Sequence, residues 1–146
     1  MQLRLAPPPA LASVVAAAAV AAALLAGCGG IKSPDLFIVQ REGSTPHARL
    51  TLLVTEEGIV QCNGGPHLRL SDQQIVTARA IQEDLKTQAS EHLALPPRSG
   101  SVLSYRLRDQ DGSVSFADNS AGQPKVFRQL QLFVLQAAQQ LCKLPQ

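Results

Sequence analysis

The start of this chain and the rest of it cannot share one fold. From Ala10 to Ala26 the sequence is Ala, Leu and Val with a single Ser13, and Arg4 is the only charged residue before Lys32. An apolar stretch behind a short positive start has the layout of a secretory signal. The competing reading is a helix that stays in the membrane. The stretch is about 17 residues long, at the lower limit of the ~17–25 that span a bilayer. It is mostly Ala, and no basic cluster follows it as a stop signal. Export is therefore expected, with residues 1–27 removed. The remainder, residues 28–146, is long enough to bury a single core.

The apolar run ends in Leu25-Ala26-Gly27-Cys28. These four residues resemble the lipobox of bacterial lipoproteins, Leu-Ala/Ser-Gly/Ala-Cys, at every position. The resemblance covers this segment and the run before it. It implies that the Cys28 thiol becomes a thioether to diacylglycerol and that Cys28 becomes the first residue. Two acyl chains make such anchoring stable, at about 0.8 kcal/mol for each buried methylene. An ordinary structural role for Cys28 fits poorly, because Gly27, Gly29 and Gly30 around it offer no packing surface. The expected organisation is a signal over residues 1–27, a lipidated tether over 28–34 and one domain over 35–146.

Charge excludes one large class of partner. Lys plus Arg is 13 and Asp plus Glu is 11, a formal net charge of +2. Nucleic-acid binding needs a clustered basic face, and none is visible. The 45% hydrophobic content argues against a disordered chain.

Beyond Cys28 the chain has only Cys62 and Cys142. An even pair in an exported chain reads as a disulfide. It would close a loop of about 80 residues and contribute roughly 4–5 kcal/mol on the chain-entropy model. A metal pair or a catalytic thiol are the rivals. Neither cysteine has a His or Cys within four residues, and metal sites need more ligands at short spacing.

Periodicity outlines the domain. Leu36 to Gln40 is a short apolar run expected as a first strand. His47 to Val54 and Ile59 to Cys62 flank Glu56-Glu57-Gly58 as a hairpin, which Asn63-Gly64-Gly65-Pro66 ends. Ser71 with Gln74 three residues on forms a capping box. Ile75, Ala78, Ile81, Leu85, Ala89 and Leu93 then share one helical face, closed by Pro96-Pro97. Leu103, Tyr105 and Leu107 alternate with polar residues, as do Val114 and Phe116, across Asp111-Gly112, a hairpin signal. A last helix opens near Pro124 and carries Val126, Phe127, Leu130, Phe133, Val134, Ala137, Ala138 and Leu141. Leu132 and Leu135 widen its apolar stripe and predict packing on more than one side. Strand, hairpin, helix, hairpin, helix predicts an α+β domain. Its antiparallel sheet would have about four or five strands, with two helices on one face. The Cys62–Cys142 bridge would tie a strand end to the end of the last helix.

Catalytic constellations are missing. His47, His67 and His92 stand apart and read as surface polar residues. Asp109, Asp111 and Asp118 suggest a calcium loop, but Val114 and Ser120 stand where it needs Gly and Glu. Glu56 and Glu57 are neighbours in a turn and point apart. Arg106 and Arg108 share one strand face and, with Arg98, offer a small basic patch. Tyr105 is the sole Tyr and there is no Trp, which weighs against carbohydrate or single-strand binding by stacking. The chain is expected not to be an enzyme and to need no cofactor or metal.

The segment after the anchor is similar to small lipoproteins of high-G+C Gram-positive (actinobacterial) bacteria. The resemblance rests on Ser33-Pro34-Asp35-Leu36-Phe37, on Cys62-Asn63-Gly64-Gly65, and on Ser113-Val114-Ser115-Phe116-Ala117-Asp118 before a helix ending near Cys142. It implies a location at the outer face of the cell membrane and a bridge, and carries no activity. The expected role is a binding or scaffolding module of the cell envelope. Its expected partners are membrane lipid through Cys28 and an envelope protein or polymer. The alternative is a small inhibitor of exported proteases. Gly64 to Leu70 or Leu95 to Ser101 would be its exposed loop. The chain resembles subtilisin inhibitors only in strand-then-Cys-Gly-Pro order and lacks their cysteine count.

Overall fold

A computed structural model describes residues 35–144. Cys28 and the apolar run lie outside the described residues. The chain forms β1 (Asp35–Gly43), β2 (Leu50–Thr55), β3 (Ile59–Cys62), β4 (His67–Arg69), α1 (Asp72–Ser90), β5 (Leu103–Arg108), β6 (Ser113–Ala117) and α2 (Lys125–Gln140). The fold is α+β: one antiparallel sheet of six strands, two helices and one disulfide. Strand order is β4-β3-β2-β1-β5-β6, so β1 lies in the middle and joins the two parts of the chain.

The sixth strand corrects the expected four or five. β4 falls in the stretch read as a loop. Asn63 (φ 54°) and Gly64 (φ 70°) both take left-handed conformations, and the Gly65 N–H donates to the Cys62 carbonyl at 2.9 Å. Two positive φ angles in a two-residue turn suit the twist of a hairpin, so the chain folds straight back onto the β3 edge. The second strand begins at Leu50 rather than His47. Pro46 has no N–H to give a ladder and His47 takes a left-handed φ of 61°, so residues 44–49 form a loop.

Register explains the core. Strand residues alternate between two faces. Val39 pairs with Leu52 on one side and Leu107 on the other, while Leu52 pairs with Cys62 and Leu107 with Val114. The neighbouring rows place Phe37, Val54 and Val60 together, and Leu50, Arg41, Tyr105 and Phe116. All of these are buried except Cys62, which is half-buried.

Both helices cover this face. Ala78, Ile81, Leu85 and Ala89 of α1 are buried, at the spacing the sequence predicts. Ser71 caps the helix: its Oγ accepts the Gln74 N–H and Gln74 Oε1 accepts the Ser71 N–H. From α2, Phe127 stacks on Phe116 with ring centroids 4.2 Å apart, and Phe133 meets Phe37 edge-on at 6.0 Å. Leu132 and Leu135 of α2 do not enter the core. They are 55% and 45% exposed, so this helix buries one broad stripe and leaves its outer side to solvent. Every residue of the core lies between Leu36 and Ala138. Residues 35–144 carry one core and the disulfide, and every buried core residue finds its partners within this stretch, so no other segment is needed to cover that core.

Candidate functional site

Cys62 and Cys142 form the disulfide expected from the sequence, with Cα atoms 5.7 Å apart. Cys62 is brought there by the β2–β3 register. Cys142 follows α2, where the Leu141 and Cys142 N–H groups both donate to the Ala137 carbonyl and turn the chain inward. The bridge locks the last helix to the sheet and leaves neither thiol for chemistry.

The histidines are exposed and lie apart in the fold. His47 is in the β1–β2 loop, His67 opens β4, and His92 follows α1, its Nδ1 3.3 Å from Ser113 Oγ. Asp109 shapes the β5–β6 turn: its Oδ1 accepts the Asp111 and Gly112 N–H groups, each at 2.9 Å. Its Oδ2 is sealed from solvent without a hydrogen-bond partner among the described residues. Burial accordingly pushes the Asp109 carboxyl above its ordinary value, opposed by the two backbone donors. Asp118 accepts from Ser101 Oγ at 2.8 Å and from the Val102 N–H at 3.2 Å. Glu56 and Glu57 are exposed in the β2–β3 turn.

Arg106 and Arg108 lie on the uncovered face of the sheet, where they pair with Gln40 and Ile38 of β1. Neither makes an ion pair among the described residues, where Lys86–Glu83 is the only one. Arg106 borders a hollow of about 280 Å³ with Gln40, Glu42, Ser115 and Pro97. The stretch Leu95 to Ser101 is exposed at its tip but held at its backbone. Asn119 Oδ1 accepts the Arg98 N–H, while Asn119 Nδ2 donates to the Arg98 and Ser99 carbonyls. Ser120 Oγ bonds to the Leu95 and Pro96 carbonyls. Of the other predicted loop, Gly64 to Leu70, the residues His67–Arg69 are paired into the sheet as β4.

The sequence reading missed Arg41. It stands on the covered face of β1 in line with Phe37 and Val39 and is 7% exposed. Its Nε donates to the Ala48 carbonyl at 2.8 Å and one terminal nitrogen donates to the His47 carbonyl at 3.1 Å. The left-handed His47 turns those carbonyls towards it. No carboxylate pairs with it among the described residues. Across the sheet Tyr105 is its register partner. Burial raises the Tyr105 phenol above its ordinary value, and the Arg41 charge opposes this. Arg41 borders a cavity of about 440 Å³ between the β1–β2 loop and the end of α2. Period-two alternation was the available signal: counting from Phe37 and Val39 puts Arg41 inside.

Comparison with protein-family models, curated proteins and solved structures finds no match to this chain.

Proposed function

We propose that this protein is an exported lipoprotein. In this reading Cys28 holds it at the outer face of the bacterial cell membrane, and its α+β domain is a binding or scaffolding module of the envelope. The observation that carries the reading is Leu25-Ala26-Gly27-Cys28 directly behind an apolar run with a single early positive charge. The Cys62–Cys142 bridge supports it, because disulfides persist in oxidising compartments outside the cytosol. In this reading residues 28–34 would serve as a short tether, and the domain would ride close to the lipid surface. A protease inhibitor works by offering an extended backbone to its target. Arg98 has both backbone polar groups engaged by Asn119, and His67–Arg69 are already paired in the sheet, so the binding-module reading has the better support.

Detergent phase partitioning of the protein from producing cells, with mass spectrometry of its first peptide, tests the anchor. The native chain is expected in the detergent phase with diacylglycerol on Cys28, and the Cys28→Ser variant in the aqueous phase or uncleaved. A Cys28→Ser variant that is cleaved and still membrane-bound, or a native chain without lipid, overturns the anchor.

A further inference from the structure

We propose that the cavity beside Arg41 binds an aliphatic carboxylate, with the Arg41 guanidinium taking the head group and the apolar wall taking the chain. This deepens the binding-module reading by giving the module a ligand class. It makes no use of Cys28, so failure of one leaves the other standing.

The first support is a largely buried charge with no opposite charge beside it among the described residues. An isolated charge taken out of water carries a large desolvation cost, and proteins normally offset it with an opposite charge. Arg41 is 7% exposed, and its two hydrogen bonds go to neutral carbonyls of Ala48 and His47. The dipoles of these two carbonyls temper the charge without neutralising it. The other terminal nitrogen of Arg41, Nη1, has no acceptor among the described residues, yet Arg41 lines the cavity. Pairing of a guanidinium with a carboxylate is charge-assisted and directional.

The second support is the shape and chemistry of the space. At about 440 Å³ the cavity lies within the range of small-molecule sites. Beyond Arg41 its wall is largely apolar: Pro46, Ala48, Leu103, Leu135, Ala138 and Leu144. Thr45, His47 and Gln139 supply the polar lining, and among the described residues no carboxylate side chain borders it. One buried cation in an apolar wall selects a ligand with one anionic end and a hydrocarbon body. A small inorganic anion would leave the wall unfilled, and a neutral hydrocarbon would leave the charge unpaired. The walls are well placed for this. The β1–β2 loop is tied to β1 by the Arg41 bonds themselves, and the Leu144 N–H donates to the Ala138 carbonyl at 2.9 Å.

Isothermal titration calorimetry on the chain from Ser33 onward tests the proposal, with dodecanoate, octanoate, acetate and dodecanol as probes. Dodecanoate is expected to bind about ten- to a hundredfold tighter than dodecanol, the size of one charge-assisted hydrogen bond. Octanoate is expected to bind more weakly than dodecanoate, and acetate not measurably. Arg41→Gln is expected to abolish the preference for the carboxylate. Because that change also releases the β1–β2 loop, a second pair of variants is placed at Leu135, which is exposed at the rim. Leu135→Glu is expected to weaken dodecanoate at least tenfold, and Leu135→Lys to retain it. Equal binding of dodecanoate and dodecanol overturns the proposal. So do acetate binding as well as dodecanoate, dodecanoate binding unchanged by both Leu135 variants, or no binding of dodecanoate at all.

Discussion

The two faces of the sheet are built from the same strands and have opposite fates. On the helix-covered face Phe37, Val39, Leu52, Val54, Leu107 and Val114 are sealed by Phe127, Phe133 and the buried stripe of α1. On the other face Gln40, Arg106 and Arg108 are exposed, and Ile38, Thr51 and Leu53 are half-buried. Antiparallel sheets commonly bury one face and leave the other wet, which is why a clean alternation can be read from such strands. The exception teaches more than the rule. Arg41 occupies a covered-face position and keeps its charge there by reaching the carbonyls of residues 47 and 48. A polar residue on the wet face needs no partner, whereas one on the dry face must be explained.

Several substitutions sharpen this contrast. The largest effect is expected at Phe127, which is fully buried and stacked on Phe116. Phe127→Ala should cost about 3–5 kcal/mol of unfolding free energy in urea titration, since it leaves a cavity in the dry layer. A loss under about 1 kcal/mol would mean that the helices do not seal that face. Next is the bridge that clamps α2 over the sheet. Replacing both Cys62 and Cys142 by Ala should cost about 2–5 kcal/mol, read from the shift in denaturant midpoint.

A smaller, pH-dependent effect is expected at Asp109. Burial holds its folded-state value above 3.8, so the folded chain keeps the proton where the unfolded chain has lost it. Its contribution is therefore most favourable below the unfolded value and declines as pH rises through the folded one. Asp109→Asn keeps the Oδ1 acceptor for the turn and removes that decline. The stability of the native chain relative to the variant should fall with rising pH above 3.8, in thermal melts at several pH values. The smallest effect is expected on the wet face. Arg106→Ser and Arg108→Ser should each stay within about 0.5 kcal/mol of the native chain. A loss of 2 kcal/mol or more at either (roughly the scale of a buried polar group stripped of its partner) would show that the face is not wet.

Much of the fold is legible locally. The Ser71–Gln74 capping box, the Asp111-Gly112 hairpin and the alternation of Leu103, Tyr105 and Leu107 each depend on residues a few positions apart. The Asn63-Gly64 turn carries the same kind of signal and folds β4 back on β3, yet His67–Arg69 is too short for alternation to mark it as a strand. Leu132 and Leu135 show the limit of periodicity in the other direction. They extend an apolar stripe that the helix does not bury, because the sheet and α1 cover only one side of α2.

The amino-acid sequence by itself determined which residues alternate, where helices start, which turns reverse the chain and which two cysteines could meet. These follow from dihedral preferences, caps and periodicity, all of them short-range. Only the tertiary structure decided that β5 pairs with β1 across the whole of α1, that Arg41 is buried with no carboxylate partner among the described residues, and that a cavity opens beside it. Those outcomes depend on the summed packing of segments up to about a hundred residues apart. Burial is proportional to area removed from water by whichever element arrives, and no local pattern encodes which element that is.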